Sequence, residues 1–440
     1  MAVFMVFETL RERIGNSVML TRFVGAASWS LFGSVVTNGA SLVTTVLVAR
    51  ILGKESFGHF VALQTTVLTI SMASWFGVGF AANRYAADLA RRDPGRLGRI
   101  LGLSQIVILI TGVIAIASLA GAADAIAQHG FRAPEIGAPI AIAAVSILFL
   151  SFDGFQKNIL IGLSEMRAFA WSSILGAALS IPVTIALTYR YGLTGAAIAV
   201  VAGSMANCAI SWVWSRSKLG KLGIVLSWRD SGREMGTMLH FALPALLTGL
   251  LPAGANWIVQ SLLARAGSAG EVAVFGIAMQ WFHLVNFLPG AMARALMPIM
   301  TESVRDGHAT RRTLLAGVAA STLVAAPIAL GGAILSPYIM ESYGPQFAGS
   351  QAALAIAIAM GVAVVHAAQL SVQQLIAARE HMWIAIAMTL AMTTVFVGAS
   401  IILVPYGATG AAAALAAGYL FQAGASLAYG SMFLRNARMR

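Results

Sequence analysis

The stretch Tyr191-Gly-Leu-Thr-Gly-Ala-Ala197 returns as Tyr406-Gly-Ala-Thr-Gly-Ala-Ala412, 215 residues later and about half the chain away. A fold for this sequence must therefore be built twice from one unit. The same spacing carries Leu160, Ile161 and Glu165 onto Leu375, Ile376 and Glu380, and Ala49-Arg50 onto Ala264-Arg265. With one inserted residue Gln64 falls on Gln280, although the two copies agree at only a minority of positions.

The repeated unit is a membrane unit. Hydrophobic residues make up 59% of the chain and charged residues 10%, a balance that a soluble domain of this size cannot carry. Apolar runs of about 20 residues, the length that crosses a bilayer core as a helix, fall at 25–48, 57–80, 99–121, 138–157, 169–189 and 194–214, and again at 238–263, 272–293, 313–335, 350–377, 383–403 and 409–433. These are spans 1 to 12. Six is an even number, so both copies insert in the same orientation, a parallel repeat about an axis along the membrane normal that encloses a central cleft. The expected fold is an all-α polytopic membrane protein with two six-helix lobes around a central cavity. Its divisions are an amphipathic segment at 1–23, an N-lobe at 24–214, an inter-lobe linker at 215–236, a C-lobe at 237–433 and a tail at 434–440.

Charge sets the expected orientation. Of 28 Lys and Arg, 23 fall before span 1, in the loops between even and odd spans, or in the tail. Only Arg50, Lys54, Arg132, Arg190 and Arg265 fall on the other side. The positive-inside rule then puts both termini in the cytoplasm. The net charge of +12 does not indicate nucleic acid, because the cations sit in small groups between apolar runs rather than along one groove.

Several chemistries find no support. The apolar start, Met1 to Phe7, is too short for a secretory signal and is followed by Glu8, Arg11, Glu12 and Arg13. Met5, Leu10, Ile14 and Val18 recur at near-helical spacing, so residues 3–20 are expected as an amphipathic helix on the cytoplasmic surface, with a frayed tail as the alternative. The one cysteine, Cys208, has no intramolecular partner. No metal-ligand spacing, nucleotide-binding loop or catalytic constellation is present, so no metal, cofactor or catalytic residue is expected. The segments between spans are too short to fold as an enzymatic domain.

Attention passes to polar groups inside the spans, which are costly in hydrocarbon unless they face a partner or water. Ser34, Asn38, Ser41 and Thr45 lie on one stripe of span 1. Span 2 carries Gln64, Thr65, Thr69, Ser74 and Trp75; span 7 carries Asn256, Trp257 and Gln260; span 8 carries Gln280, Trp281, His283 and Asn286. Spans 1, 2, 7 and 8 are expected to line a hydrophilic cavity, with Asn38, Ser41, Gln64, Trp75, Asn256, Gln260, Gln280, His283 and Asn286 as candidate substrate contacts. The plainer alternative is polar glue between packed helices. Pro244 and Pro252 should bend span 7.

Asp153 is the one carboxylate placed inside a span, and Lys157 at i+4 is expected to pair with it. Arg84, Asp88 and Arg92 follow one another at i+4 on the cytoplasmic side, as a surface network or as cations for an arriving phosphate. His283 and His366 lie in apolar runs where protons could be exchanged, but neutral, hydrogen-bonded rings are the simpler reading. No driving ion is legible.

The segment Ala49-Arg50-Ile51-Leu52-Gly53-Lys54-Glu55-Ser56-Phe57-Gly58 resembles the Ala-Arg-x-Leu-Gly-x-x-x-Phe/Tyr-Gly signature that follows the first span of polysaccharide biosynthesis exporters. Phe76-Gly77-Val78-Gly79 with Asn83-Arg84-Tyr85 is similar to that family's second-span ending, with Phe76 where leucine is usual. The Tyr-Gly-x-x-Gly-Ala-Ala turns before spans 6 and 12 fit as well. This family lies in the multidrug, oligosaccharidyl-lipid and polysaccharide (MOP) exporter superfamily. The resemblance implies a V-shaped two-lobed bundle in the bacterial inner membrane. Its cargo would be a lipid-linked saccharide, polyprenyl pyrophosphate-linked, moved between leaflets among membrane lipid and beside polysaccharide synthesis and polymerisation machinery. A pyrophosphate would want cations at the cytoplasmic mouth, where Arg84, Lys157 and Arg294 are the candidates. Arg50 and Arg265 read instead as interfacial anchors or contacts to loop carbonyls. Spans 1 and 7 hold no basic residue in their middle, so a weakly charged saccharide head bound by Asn, Gln and Trp fits equally. Two alternatives stay open: a drug or metabolite exporter of the same superfamily, and an integral-membrane polymerase or ligase.

Overall fold

The computed structural model describes the backbone of residues 18–75, 78–228, 231–303, 307–379 and 381–436. The expected surface helix over 3–20, Phe76 and Gly77, Glu380 and the end of the tail lie outside the described residues or at their edge. Among the described residues the regular structure is helical. That is the solution an apolar chain requires, since a helix satisfies its backbone hydrogen bonds internally where no water can.

Spans 1 and 2 form one helical run, α1 (Val18–Trp75), which reverses at Gly53. The end of span 2 continues as α2 (Val78–Leu89), and span 3 is α3 (Pro94–Ala125). Span 4 is α4 (Gly137–Ala144) with α5 (Ser146–Gly162), bent by 43°. Spans 5 and 6 are α6 (Met166–Lys221), reversing at Gly192. The second copy follows as α7 (Met235–Ala266), α8 (Ala269–Ser303), α9 (Gly307–Ile334), a short α10 (Ser336–Tyr343), α11 (Ser350–Ala378), α12 (Met382–Leu403) and α13 (Gly407–Asn436). Among the described residues eight helical segments are long and apolar enough to cross a membrane, nine with the bent pair of span 4, and the three of 44 to 56 residues are each broken at a turn and long enough for two crossings, in keeping with twelve.

The repeat is written in the backbone. Gly192 (φ 57°, ψ −135°) and Gly407 (φ 66°, ψ −148°) adopt nearly the same left-handed conformation before spans 6 and 12, a region that L side chains avoid. Three residues on, a Cβ on Gly195 would collide with the Leu187 carbonyl and one on Gly410 with the Leu403 carbonyl. Each turn is therefore closed by glycine at two positions, which explains why this phrase survives in both copies.

The helix of span 7 runs without interruption from Met235 to Ala266. A sharp bend not read in the sequence falls in span 4, which has no proline at that point. There the Ser146 hydroxyl donates to the Ala143 carbonyl at 2.6 Å, and Val145 N–H reaches back only to Ile142 at 3.3 Å. A side chain competing for backbone carbonyls opens the ladder as effectively as a proline.

Packing divides the molecule by depth. One apolar cluster joins Phe57, Leu63, Ile136 and Ile140 of the first copy with Val259, Phe275, Phe347 and Met360 of the second. At the opposite ends of the helices, where α3 begins and α6 finishes, the clusters are separate. Val78, Leu97, Leu101, Phe155 and Leu219 pack within the first copy, and Met300, Leu314 and Leu375 within the second. Among the residues whose side chains are described, the two copies thus share one core at the end that holds Gly53, Gly192 and Gly407, the turn end, whereas at the other, the linker end, their buried clusters are separate although α2 still meets α7.

Candidate functional site

Helices in hydrocarbon gain little from apolar burial against one another, so close approach and hydrogen bonds must hold the copies together. At the turn end spans 2 and 8 touch through glycine. A Cβ on Gly58 would collide with the Ala269 carbonyl, and one on Gly276 would press on Val61. Glu55, opening span 2, accepts from Gly270 N–H at 3.0 Å, and Glu271, opening span 8, accepts from Ala408 N–H at 2.7 Å. Each carboxylate thereby caps the positive N-terminal end of a neighbouring helix. Lys54 lies 4.0 Å from Glu271 between the two copies.

Two arginines related by the repeat clasp the opposite copies. Arg50 Nε donates to the Ser342 carbonyl at 2.7 Å. Arg265 donates to the carbonyls of Gly130, at 3.3 Å, and His129. Arg132, held at φ 51°, returns a bond from its guanidinium to the Arg265 carbonyl at 3.0 Å. The partners of both arginines are backbone carbonyls, one of the two readings their position suggested. Ser261 adds a hydroxyl bond to Gly130 at 2.6 Å, and Gln346 accepts from Lys54 N–H at 3.1 Å.

Just below this clasp the polar stripe of span 1 meets the second copy. Gln280 donates to Thr45 at 3.0 Å and accepts from the Tyr343 hydroxyl at 3.3 Å. Burial pushes the Tyr343 phenol above its ordinary range, which keeps it a donor. Trp257 Nε1 donates to Thr66 at 2.9 Å, and Thr69 reaches the Ala253 carbonyl at 3.4 Å, so span 7 is stitched to span 2. Farther toward the linker end the stripe is open: Asn38 and Ser41 are exposed, with Asn38 donating to the Ser34 carbonyl at 2.8 Å. The stripe therefore runs from an open stretch at Asn38 to a closed one at Thr45.

The other candidates divide accordingly. Gln64 and His283 are exposed. Asn286 is half-buried, donates to the Phe282 carbonyl at 3.0 Å and leaves its Oδ1 without a partner; Asn256 Oδ1 is likewise unpartnered. Gln260 is 1% exposed with Oε1 unpartnered, inside the joined region rather than on an open surface. Gln280 is occupied by the Thr45–Tyr343 bridge. Trp75 lies against Gly79 and Gly154, within the first copy.

Among the cations, Arg84 and Arg294 are exposed. Lys157 pairs with Asp153 at 2.8 Å, as its spacing predicted, and Ser211 donates to the other oxygen of that carboxylate at 2.7 Å. Lys157 is consequently already neutralised. Arg92 pairs with Asp88 at 3.0 Å, while Glu165 is engaged by Lys218 at 2.7 Å. His366 is packed against Tyr419 at 4.9 Å and Phe282 at 5.6 Å, between spans 8, 10 and 12.

Sequence reasoning missed the Thr45–Gln280–Tyr343 bridge and the capping carboxylates. A signal for the latter existed, since Glu55 and Glu271 correspond by the same one-residue insertion that aligns Gln64 with Gln280. It also missed the linker's attachment. Arg96 makes a forked pair with Glu234, its closest bond 3.0 Å, and Ser227 N–H donates to the Gly98 carbonyl at 3.1 Å. Gly98 and Gly102 leave room for that strand of linker, as a Cβ on either would collide with it.

Comparison with known proteins agrees with this architecture. The chain is 27% identical over 416 residues to the EPS I polysaccharide export inner membrane protein EpsE of Ralstonia nicotianae, covering 90% of this chain and 91% of the relative. It is 22% identical to stage V sporulation protein B of Bacillus subtilis over 62% of this chain and 57% of that one. Among solved structures, an inward-facing multidrug resistance MATE family transporter of the MOP superfamily superposes with a TM-score of 0.79 at 18% identity, over 93% of this chain and 99% of that chain. A MOP superfamily transporter from Pyrococcus furiosus gives 0.73 at 17% identity, over 95% and 96%. These likenesses establish the fold. Residues 23–304, well over half of the sequence, match the family described as polysaccharide biosynthesis protein, and the chain belongs to that family.

Proposed function

We propose that this chain translocates a saccharide precursor of polysaccharide synthesis across the bacterial inner membrane by alternating access, the two lobes (24–214 and 237–433) rocking about the turn end. The observation that carries this reading is the division of the molecule by depth: one shared, clasped core at one end, and separate cores with an open polar stripe at the other. A bundle serving only as a scaffold has no need to leave Asn38, Ser41, Gln64 and His283 exposed in mid-span while the helices that bear them are stitched together above. The names of two relatives at 27% and 26% identity, both polysaccharide export inner membrane proteins, support the same class of cargo.

The finer reading follows from chemistry. A saccharide attached to a polyprenyl pyrophosphate must keep its head out of hydrocarbon while its tail stays in it, which a laterally open V allows. Positive-inside charge puts both termini, and hence the linker end, in the cytoplasm, so the described state receives cargo from the inner leaflet. Arg84 and Arg294 are the cations that would meet a phosphate there; Lys157 would have to leave Asp153 to do so. Asn38, Ser41, Gln64, His283 and Asn286 would bond the sugar, and Gln280 would become available only when the clasp opens. No covalent bond in the cargo changes. Synthesis and polymerisation enzymes would act before and after this step.

The test is the leaflet distribution of lipid-linked saccharide in cells depleted of the protein, read with a sugar-modifying reagent that does not cross the inner membrane. Accumulation of protected, cytoplasm-facing saccharide of unchanged mass is expected. Normal arrival in the outer leaflet, or a lengthened glycan made by the purified protein, would overturn the reading.

A further inference from the structure

On the outside of the first copy, near the linker end, spans 3, 4 and 6 leave a recess of about 290 Å³ that no part of the transport scheme uses. Its apolar lining is Ile106, Leu109 and Phe152. Leu109 is half exposed and continues toward mid-span into Ile110, Val113 and Ile114, an exposed apolar face suited to acyl chains. One helical turn from Leu109 and Phe152 toward the linker end lie two amides, Gln105 and Gln156, the latter held by a hydroxyl bond from Ser215. At the rim stands Arg216, its guanidinium 5.6 Å over the Trp212 ring, and the linker adds Trp228, which is 64% exposed. The described residues give Arg216 no ion pair.

From mid-span toward the linker end the order is apolar, amide, cation, with two tryptophans beside the cation. That is the order of an amphiphile: chain, ester and phosphate, with indoles at the headgroup level where they prefer to lie. Basic recesses between helices at the cytoplasmic face are known to suit anionic headgroups. The geometry points to a site for one anionic phospholipid, with its phosphate on Arg216, its ester carbonyls on Gln105 and Gln156, and one acyl chain along Leu109. Because Trp228 belongs to the segment that joins the two copies, an occupied site would also fasten the linker to the first copy, reinforcing the Arg96–Glu234 pair. The occupant is resident membrane phospholipid rather than cargo, because none of the polar residues of spans 1, 2, 7 and 8 lines the recess and it adjoins the exposed apolar side chains of Ile110, Val113 and Ile114.

The experiment is native mass spectrometry of the full chain, equilibrated with equal amounts of dioleoyl-phosphatidylglycerol and dioleoyl-phosphatidylcholine in detergent. One retained phosphatidylglycerol per protein is expected, in preference to phosphatidylcholine. Arg216→Ala should lower that retention about fivefold, the weight of one basic residue at an anionic surface, and Arg216→Lys should restore most of it. Trp228→Ala, on an exposed linker position, should lower retention without touching the bundle. Circular dichroism melts serve to confirm that each variant is folded. Equal retention of the two lipids, or unchanged phosphatidylglycerol on folded Arg216→Ala, would overturn the proposal. So would one-for-one displacement by a polyprenyl phosphate, which would give the recess to cargo. The readout is lipid retention, so it stands or falls separately from the transport reading.

Discussion

Arg50 and Arg265 each reach from the end of the first span of one copy to a carbonyl of the other, so removing either guanidinium unfastens half of the same clasp. A hydrogen bond from a charged group contributes about 1.5 to 3 kcal/mol, which makes each arginine worth tenfold or more in the balance between closed and open. In a Cys208→Ser background with Gln64→Cys as reporter, Arg50→Ala with Arg265→Ala should speed labelling by a membrane-impermeant thiol reagent from the turn end at least tenfold; unchanged labelling would mean that the clasp does not gate. Gly58→Val should act in the same direction more strongly, because its side chain would occupy the space of the Ala269 carbonyl. Much of this was legible. The repeat linked the two arginines, and their place outside the charge-rich side pointed to loop carbonyls. The partners themselves, Ser342 and Gly130, lie 292 and 135 residues away, and no local pattern announces a pairing over that distance. The same limit hid the Gln280 bridge: as a polar residue in span 8 it looks like a cargo contact, and only the approach of Thr45 and Tyr343 reveals it as part of the closure.

At the scale of elements, apolar run length located the crossings because a bilayer sets the length of any helix that spans it. Bends were less legible. Span 7 carries its prolines within one continuous helix, while the bend of span 4, where a serine hydroxyl bonds a backbone carbonyl, is one that composition does not flag. Span 4 also carries the Asp153–Lys157 pair, 14% and 20% exposed, against Ser211 of span 6. Asp153→Asn alone leaves a cation uncompensated in an apolar surround and should lower stability by about 3 kcal/mol, measured as a reduced melting temperature in detergent. Asp153→Asn with Lys157→Met should recover most of that loss. If the double variant is stable and still transports, the pair is structural; stability with lost transport would assign it to the transport cycle. Glu234→Gln, by weakening the fork to Arg96, should raise proteolytic cleavage of the linker several-fold while leaving the helices of both copies folded; equal cleavage would show that the backbone contacts at Gly98 and Gly102 suffice to hold it.

For the whole molecule, duplication explains the asymmetry between its ends. Two copies of one unit, related by an axis through the bundle, present the same surfaces to each other, so glycine at the start of span 2 meets the start of span 8, and a carboxylate from each caps a helix nearby. Such a seal closes one end with few residues. On the proposed reading, opening and closing of this bundle carries a saccharide precursor from one leaflet to the other without chemical change. The direct measurement uses the purified full chain in liposomes loaded with a polyprenyl pyrophosphate-linked oligosaccharide, with a glycosidase or lectin confined to one side reporting how much of the saccharide becomes accessible with time. The account predicts that accessibility rises well above that of protein-free liposomes, that it falls at least tenfold in Gly58→Val, and that the recovered lipid-linked saccharide keeps its mass. Accessibility equal to the protein-free control, or a saccharide altered in mass, would contradict it.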